Sequence, residues 1–336
     1  MKKRVVSLLL SFILAFSAFP FTVFSSNFNS GVDITDYMDD RLNLSEYTID
    51  DILSMSSQEF YSLVSDFERI YDPFNSYAEN VGGYDVSTYG HGGFRGAVSP
   101  CWTSGEIDKD GKWTEAGSHE YITMTACNII INDKGFFAKK ESDAVVIALL
   151  ISLSSLLPDK DENENIFAGH FYDPNTQKNY IGKTDNTART NATKHYNSAV
   201  HYAKNGNMQS AYEYIGRCLH YLQDACEPHH ASNIISLGYT SHSVFESKAN
   251  SNIEKYLKNF NSISAGMYVA AKNTTVSELT HISAGIAYKH KNSVNNLLNQ
   301  SKWDEVAEEC MQMASERSAM VLYKFGLYSY VPFYKN

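Results

Sequence analysis

One stretch decides how this chain folds and what it can hold, 220-HYLQDACEPHHASN-233. His220 and Asp224 lie four residues apart in a helical pattern, so their side chains project from one face, about 5–6 Å apart at Cβ. Neutral imidazole and carboxylate are ligands of zinc, and this spacing suits two ligands of one ion. Pro228 ends or bends the helix, because the residue before a proline is pushed out of the α region. The turn would bring His229 or His230 back toward the same cavity.

Further potential ligands surround this stretch. His242 and Glu246 form a second pair four residues apart, and His119, Asp159 and His170 lie upstream. Each upstream residue is weak evidence alone, because a single histidine is more often a surface or core residue than a ligand. The alternative for the pairs is a set of solvated histidines on ordinary helices. Taken together the set is too rich for one tetrahedral zinc, and it predicts two or three closely spaced ions.

Beyond residue 101 the hydrophobic pattern is helical and strand alternation is scarce. The predicted helices cover 118–133, 139–157, 187–204, 207–226, 241–260, 275–299 and 302–328. Asn207 stands where an N-cap residue is expected. The sequence therefore predicts an all-α fold, with a single multi-helix domain over residues 102–336.

The N-terminus has the pattern of an export signal. Basic residues at positions 2–4 precede an apolar run from Val5 to Phe24 and small residues at 25–26. This pattern predicts a signal peptide over residues 1–26 and a secreted, extracellular protein. An uncleaved membrane anchor is the alternative. The nearest later apolar stretch, 144–157, is too short to span a bilayer and is better interpreted as a buried helix.

Residues 27–101 differ in composition from the helical region after them. Positions 43–71 are acidic and amphipathic, and positions 72–100 are rich in Gly, Ser, Tyr, Asn and Pro, which is typical of a linker. We predict a helical pro-segment with its linker over 27–101. A structural N-terminal subdomain is the alternative.

The formal net charge of −10 argues against nonspecific binding to nucleic acid, although it does not exclude a nuclease whose metals offset the acid. The five cysteines are Cys101, Cys127, Cys218, Cys226 and Cys310. Cys218 and Cys226 would lie about 12 Å apart along one helix, too far to bridge each other. Other pairings stay open.

The motifs resemble those of the bacterial zinc-dependent phospholipase C family, of the alpha-toxin type. The resemblance is carried by HYxxDxxxPxHxxN over 220–233, AGHFYDP over 168–174, NMQSAYxYIG over 207–216 and HxxxE over 242–246. It covers roughly residue 102 to the C-terminus and is strongest from Asp159 to Glu246. It implies an all-α domain around a cleft with three zinc ions, a phospholipid substrate at a membrane surface and a monomeric enzyme.

The resemblance also implies the ligands. One ion would be held by Asp159, His170, His220 and Asp224, a second by the bridging Asp224, His119 and the N-terminal amine and carbonyl of Trp102, and a third by His230, His242 and Glu246. His229 does not match the family's spacing. A zinc-activated water would attack the phosphodiester with Asp159 as the catalytic general base, releasing diacylglycerol and a phosphorylated headgroup.

The family's mature N-terminus is a tryptophan whose free amine ligates zinc. Trp102 and Trp113 are the two candidates, and Trp102 is favoured because the residues after it are similar to the family's mature start. This requires cleavage after Cys101 by an activating protease, so that residues 27–101 would keep the enzyme latent. The Cys101 thiolate could fill the zinc position before cleavage. The simpler alternatives are a disulfide or a free thiol.

The substrate pocket departs from the family in one place. Lys160 stands where small members carry a tyrosine that encloses choline, and it would favour an anionic headgroup. Phe167 matches an aromatic residue of the headgroup pocket, where cation–π contact suits choline. Glu106 would be the acidic partner near the mature terminus. The substrate expected on this basis is a glycerophospholipid, with phosphatidylcholine favoured.

The chain ends at Asn336, directly after the helical segments. We therefore expect it to lack the β-sandwich that gives toxins of the family calcium-dependent membrane binding, and to attach to membranes more weakly. Two alternative functions stay open. One is an S1/P1-type zinc nuclease on the same scaffold, and the other is a non-catalytic, zinc-stabilised surface-binding protein.

Overall fold

The computed structural model describes residues 106–107, 113–115, 117–135, 137–138, 141–162, 167–236, 240–329 and 331–334. The predicted signal peptide, the predicted pro-segment and Trp102 lie outside the described residues. Within the described part, no helix is both long enough and apolar enough to cross a membrane.

The described chain is almost entirely helical. Two short antiparallel strands come first, β1 (Glu106–Ile107) and β2 (Trp113–Glu115). The helices are α1 (Ser118–Lys134), α2 (Glu141–Ser154), α3 (Leu157–Asp161), α4 (Ala188–Lys204), α5 (Met208–Asp224), α6 (Pro228–Ala231), α7 (Ser241–Ser251), α8 (Ile253–Leu257), α9 (Ala265–Asn273), α10 (Val276–Ala287), α11 (Lys291–Val294) and α12 (Trp303–Tyr328). Single 3-10 turns lie at Ala168–His170 and Tyr288–His290. The all-α prediction is confirmed, and the small hairpin is an addition to it.

Helix α5 is the central element and packs against α4, α2, α12 and α1. Asn207 caps its start by accepting a hydrogen bond from the backbone N–H of Ser210 at 3.1 Å, as predicted. The turn from α4 uses Gly206 at φ 79°, a left-handed conformation that glycine adopts without steric cost. Gly216 marks the crossing with α2, because a Cβ there would come within 2.4 Å of the carbonyl oxygen of Ile151. This close crossing fixes the buried C-terminal half of α5 in the core.

Helix α12 completes the core on the other side of α5 and packs along α1. Its first residue, Trp303, is fully buried and meets Phe245 of α7 edge to face, with ring centroids 5.6 Å apart. An aromatic pair in this geometry is worth about 0.5–1.5 kcal/mol beyond the area that it buries. The start of α12 is therefore anchored to α7.

Several predicted helices are interrupted. The predicted helix 241–260 breaks at Asn252, whose φ of −118° and ψ of 7° leave the helical region between α7 and α8. The predicted helix 139–157 ends at Ser154, and Pro158 lies in the first turn of α3, where its missing N–H costs no hydrogen bond. The predicted helix 275–299 extends only to Val294 and contains a 3-10 turn.

Helix α9 is absent from the prediction. Only Tyr268 and Ala271 of this helix are buried, and Val269 is 60% exposed, so its apolar residues do not follow a helical period. Tyr268 is held instead by its hydroxyl, which donates a hydrogen bond to Asp133 of α1 at 2.6 Å. A contact of this kind is invisible to hydrophobic periodicity.

The turn around Pro228 differs in detail from the prediction. Helix α5 ends at Asp224, two residues before the predicted limit, and Pro228 begins the short helix α6. Glu227 is the N-cap of α6, and its side chain accepts a hydrogen bond from the backbone N–H of His230 at 2.7 Å. The chain therefore turns back where expected, but proline starts the next helix rather than ending the previous one.

The described cysteines, Cys127, Cys218, Cys226 and Cys310, are all buried free thiols. The prediction that Cys218 and Cys226 do not bridge each other is confirmed. Burial raises the pKa of Cys226 to about 12, so this thiol stays protonated at neutral pH. Cys101 lies outside the described residues.

A charged network joins the end of α3 to the middle of α5. Arg217 forms a bidentate pair with Asp161, at 2.8 and 2.6 Å, and donates to Glu162 at 2.7 Å. The second oxygen of Glu162 accepts from the Tyr221 hydroxyl at 3.2 Å and lies 2.9 Å from His195 Nε2. Because α3 is only five residues long, these contacts are well placed to fix its position on α5.

Replacing Arg217 with methionine is expected to lower the free energy of unfolding by about 2–3 kcal/mol. Methionine keeps an unbranched apolar stem but leaves Glu162, whose side chain is only 22% exposed, without its charged donor. Urea unfolding of the zinc-loaded protein measures the change.

Glu213→Gln is the matched control, because it removes only the partly exposed contact between Glu213 and Arg217 at 3.0 Å. We expect this variant to lose less than about 1 kcal/mol. Equal losses in the two variants would show that the contacts of Arg217 with α3 contribute nothing of their own.

Candidate metal centre

The C-terminal turn of α5 carries His220 and Asp224, both fully buried. Three other elements bring side chains to it: α3 supplies Asp159, the 3-10 turn supplies His170, and the first turn of α1 supplies His119. These residues are distant in sequence, and each is less than 10% exposed. The predicted pairing of His220 and Asp224 on one helical face brings Asp224 Oδ2 to 3.2 Å from His220 Nε2.

Four of these side chains form a compact group, the first cluster, made of Asp159, His170, His220 and Asp224. His170 Nδ1 lies 2.9 Å from both His220 Nε2 and Asp224 Oδ2. Asp159 Oδ1 lies 3.5 Å from His170 Nδ1 and 3.5 Å from His220 Nε2. Ligands on a tetrahedron with bonds of about 2.0–2.1 Å are roughly 3.3 Å apart, so the first cluster has the dimensions of a zinc site.

The second oxygen of Asp224 faces away from the first cluster. Asp224 Oδ1 lies 3.6 Å from His119 Nε2, and among the described residues neither atom has a hydrogen-bond partner. His119 Nδ1 lies 2.7 Å from Gln223 Oε1, while the amide nitrogen of Gln223 donates to the hydroxyls of Thr123 and Ser318. The amide oxygen is thus aimed at His119, which then donates from Nδ1 and leaves Nε2 as a free acceptor. Asp224 is placed to bridge two ions.

A separate group lies at α6 and α7 and is called the second cluster: Glu227, His230, His242 and Glu246. One potential ligand atom from each residue lies within 4.8 Å of those of the other three. His242 Nε2 is 2.8 Å from Glu246 Oε1, and His230 Nε2 is 3.8 Å from the same oxygen. His230 Nε2 has no hydrogen-bond partner among the described residues although it is fully buried.

The outward-facing nitrogens of two histidines are held by backbone carbonyls. His220 Nδ1 donates to Ser155 O at 2.7 Å, and His230 Nδ1 donates to His170 O at 2.8 Å. A carbonyl oxygen only accepts, so each of these Nδ1 atoms carries the hydrogen. In the neutral ring each Nε2 is then the acceptor that points into its cluster, and this is the tautomer that a metal requires.

Burial keeps two of the histidines neutral. It lowers the pKa of His119 to about 3, helped by the nearby His220, and it lowers the pKa of His230 to about 4. Both are therefore uncharged at neutral pH, as metal-ligating imidazoles must be.

The carboxylate of Asp224 is held in the ionised form. Burial alone would raise the pKa of Asp224, but His220 and His170 hold it well below its usual range. Burial likewise opposes the charged form of His220, yet Asp224 and Asp159 raise the pKa of His220 to about 9. Without a metal, a protonated His220 offsets the buried charge of Asp224 at neutral pH, and a bound cation would take over that role.

The residues fit zinc on chemistry as well as on distance. Both clusters offer imidazole nitrogens and carboxylate oxygens, the donor atoms that zinc takes in proteins. His119 Nε2, Asp224 Oδ1 and His230 Nε2 are buried without hydrogen-bond partners among the described residues, which is costly unless a cation completes them. A zinc ion would be held by the first cluster, another between Asp224 and His119, and a third by the second cluster.

The predicted substrate residues are less closely defined. Phe167 lies at the edge of the first cluster, half-buried, with a left-handed φ of 60° and its ring edge to face with His170 at 5.5 Å. Lys160 is half-buried on α3, next to Asp159. Only the backbone of Glu106 is described, in β1, and Trp102 lies outside the described residues.

Two residues of the centre are absent from the sequence prediction, Glu227 and Gln223. Glu227 stands three residues before His230, and Glu-x-x-His is a known metal-binding spacing on helices. That signal is present in the sequence, but Glu227 precedes a proline and is easily taken as a turn residue. Gln223 gives no local signal, because its role depends on His119 in a different helix.

Known proteins are similar in sequence to this chain. A sequence model of the family described as zinc dependent phospholipase C matches residues 151–314. The chain is 30% identical over 201 residues to a phospholipase C of Bacillus cereus, covering 58% of this chain and 68% of the relative. It is 28% identical over 244 residues to a phospholipase C of Clostridium novyi, covering 64% of this chain and 60% of the relative.

Solved structures give the same fold. The alpha toxin of Clostridium absonum matches with a TM-score of 0.55 and 22% identity, over 62% of this chain and 63% of that one. At this level of identity the match shows the fold alone. The chain thus spans about two thirds of the length of these relatives.

Proposed function

This chain belongs to the zinc-dependent phospholipase C family, and we propose that it is a secreted phosphodiesterase that hydrolyses glycerophospholipids. The products would be diacylglycerol and a phosphorylated headgroup. Three zinc ions would be bound, one in the first cluster, one between Asp224 and His119 and one in the second cluster. The enzyme would bind its phospholipid substrate at a membrane surface.

One observation carries this proposal: Asp224 contributes one carboxylate oxygen to the first cluster and turns the other toward His119. A site with a purely structural ion needs four protein ligands and no bridge. A bridging carboxylate supports two ions held close together, the arrangement that suits in-line displacement at phosphorus. The burial of His119, His170 and His220 supports a pre-organised site that does not rearrange during the reaction.

Different residues of the chain would have different roles in the reaction. Zinc, when bound, would supply a Lewis acid that acidifies water and offsets charge on the phosphoryl oxygens. Asp159, which at 7% exposure is the least completely buried residue of the first cluster, would take the proton from the attacking water at its carboxylate. Ser155, whose carbonyl oxygen binds His220 Nδ1, would keep that imidazole in place throughout.

Phe167 and Lys160 would determine which phospholipid headgroup the enzyme prefers. The face of Phe167 suits a quaternary ammonium through cation–π contact, and its contact with His170 places it beside the first cluster. Lys160 would attract an anionic headgroup instead, since it follows the proposed base directly. Glu106 would add a carboxylate near the mature N-terminus. We propose phosphatidylcholine as the preferred lipid, because an aromatic face beside the reacting phosphate favours choline.

Activation would depend on the N-terminus. The ion between Asp224 and His119 would gain the free amine and the carbonyl of Trp102 after cleavage behind Cys101. Residues 27–101 would then act as a propeptide removed by a protease, and residues 1–26 as the export signal. The support for this is the pair of unpartnered atoms, His119 Nε2 and Asp224 Oδ1, which would need further donors.

The test is release of phosphocholine from phosphatidylcholine vesicles by a chain that begins at Trp102, with and without a zinc chelator. A chain that begins at Cys101 is the matched control, because it differs by one residue and blocks the amine. We expect chelator-sensitive release that zinc restores, and at least tenfold less from the control. Equal activity of the two chains would contradict the propeptide proposal, while the proposed phospholipase C activity would stand.

Other outcomes separate the alternatives. Cleavage of single-stranded DNA, without release of a phosphorylated headgroup from choline, ethanolamine or serine lipids, would indicate that the chain is a nuclease. Binding to vesicles without turnover at saturating zinc would favour a non-catalytic surface-binding protein.

A further inference from the structure

Glu227 is a buried carboxylate that lies between α5 and α6. Its exposure is 0%, and it caps α6 through the 2.7 Å hydrogen bond from the His230 backbone N–H to Oε2. Its other oxygen, Oε1, lies 2.7 Å from His229 Nδ1, and the ring of His229 stacks on His242 with centroids 4.7 Å apart. Nothing in the proposed reaction uses Glu227. A buried carboxylate in such a position is costly unless its charge is balanced.

We propose that Glu227 is a fourth protein ligand of the ion held by His230, His242 and Glu246. The inference rests on the proposed zinc centre and is independent of the substrate. The ligand atoms of the four residues lie within 4.8 Å of one another, which is close enough for one ion. His230 Nε2 is fully buried, has no hydrogen-bond partner among the described residues and belongs to the same group.

The hydrogen bonds of Glu227 leave it able to ligate. A carboxylate has about four acceptor positions, and the bonds to His229 and to the His230 backbone use two of them. Carboxylates that ligate metals are commonly hydrogen-bonded to a second group that orients them. His229 is such a group, so its stacking against His242 ties the orienting residue to another ligand.

The charges also balance. Glu227 and Glu246 together carry two negative charges, and His230 and His242 ligate as neutral imidazoles. Both carboxylates are almost completely buried. One divalent cation neutralises the charge of the four residues together. A site with three protein ligands would leave the charge of Glu227 to its hydrogen bonds with His229 and the His230 backbone N–H.

Four protein ligands make a closed site, which is the arrangement of structural zinc rather than of catalytic zinc with an open position. With four ligands, the ion of the second cluster is held more firmly than it would be by His230, His242 and Glu246 alone. Its role is to fix α6 and α7 beside the first cluster, since α6 carries His230, whose Nδ1 donates to the backbone oxygen of His170.

The experiment measures zinc per chain in the intact holoprotein, dialysed against rising chelator concentrations. Glu227→Gln removes the charge while the amide oxygen still caps the His230 N–H. We expect it to lose one ion at a chelator concentration more than about 100-fold lower than the wild type does, beyond the 10–100-fold range for residues that only orient a ligand. His229→Gln, the matched control, keeps both carboxylates and is expected to shift release of the same ion by no more than about 10–100-fold.

The double variant Glu227→Gln/Glu246→Gln assigns the effect to one site. It should still lose only one ion early, because both residues serve the same position. Loss of two ions, or a Glu227→Gln curve equal to the wild-type curve, would overturn the proposal. A diffraction experiment at the zinc edge on the wild type decides it even if the variants fail to fold. A Glu227 oxygen at about 2.0–2.2 Å from an ion supports it, and a separation beyond about 3 Å overturns it. Zinc content does not depend on turnover, so this result can be interpreted even if the phospholipase assay shows no activity.

Discussion

Replacing Asp224 with asparagine is expected to reduce phospholipid hydrolysis below about 1% of wild type and bound zinc from three ions to one. Residues that only orient a zinc ligand cost 10–100-fold when changed, so a ligand shared by two ions should cost more than about 100-fold. Asparagine keeps one oxygen but turns an NH2 donor toward His119 or toward His170 and His220. Phosphocholine release and zinc content per chain, measured on the same sample, test the prediction.

The remaining ion should be that of the second cluster, whose residues do not include Asp224. Glu213→Gln is the control, because Glu213 lies on the same helix and contacts Arg217 outside both clusters. A Glu213→Gln protein is expected to keep three ions and full turnover. If Asp224→Asn also kept three ions, Asp224 would not be the bridge between two of them.

The part of the centre that sequence predicts is the part with local spacing. His220 and Asp224 share a helical face, and so do His242 and Glu246, because four residues make slightly more than one turn. The structure brings each pair together, with Asp224 at 3.2 Å from His220 and Glu246 at 2.8 Å from His242. A regular period is enough for such pairs, since the backbone geometry supplies the distance.

The long-range part of the centre could not be obtained from spacing. His119 and Asp159 reach α5 only because α1 and α3 pack against it. The sequence next to each residue does not predict that packing. The resemblance to a family supplies them as expectations. Gln223 shows the limit of that route, because a residue that positions a ligand across two helices belongs to neither a period nor a short motif.

The breaks in the helices have a similar cause. Asn252 ends α7 in a sequence that stays apolar at helical spacing, so periodicity carries the predicted helix through it. Glu227 is easily passed over because Pro228 gives a sufficient reason for a turn. In both places one strong local signal conceals a second role, and only the packed structure separates the two.

Removing the metal is expected to lower the melting temperature of the protein by at least about 8–16 °C, the shift calculated for a single ion. An ion present at 1,000 times its dissociation constant stabilises the folded state by about 4 kcal/mol. For a domain of this size each kcal/mol corresponds to roughly 2–4 °C. The physical reason is the buried charge: without cations Asp224 and Glu227, both fully buried, are balanced only by protonated histidines. Thermal melts followed by circular dichroism, with excess zinc and with chelator, measure the shift.

Zinc and magnesium distinguish a specific site from general ionic effects. Magnesium requires an octahedral set of oxygen ligands, whereas His119, His220, His230 and His242 supply nitrogen, so only zinc should restore the melting temperature. The restored value should rise with zinc concentration, because binding to the folded state alone makes the transition depend on free ligand. A melting temperature that chelator leaves unchanged would mean that the two clusters are stable as networks of protons and hydrogen bonds. The Nε2 atoms of His119 and His230 argue against that state, since both are buried and neither has a hydrogen-bond partner among the described residues.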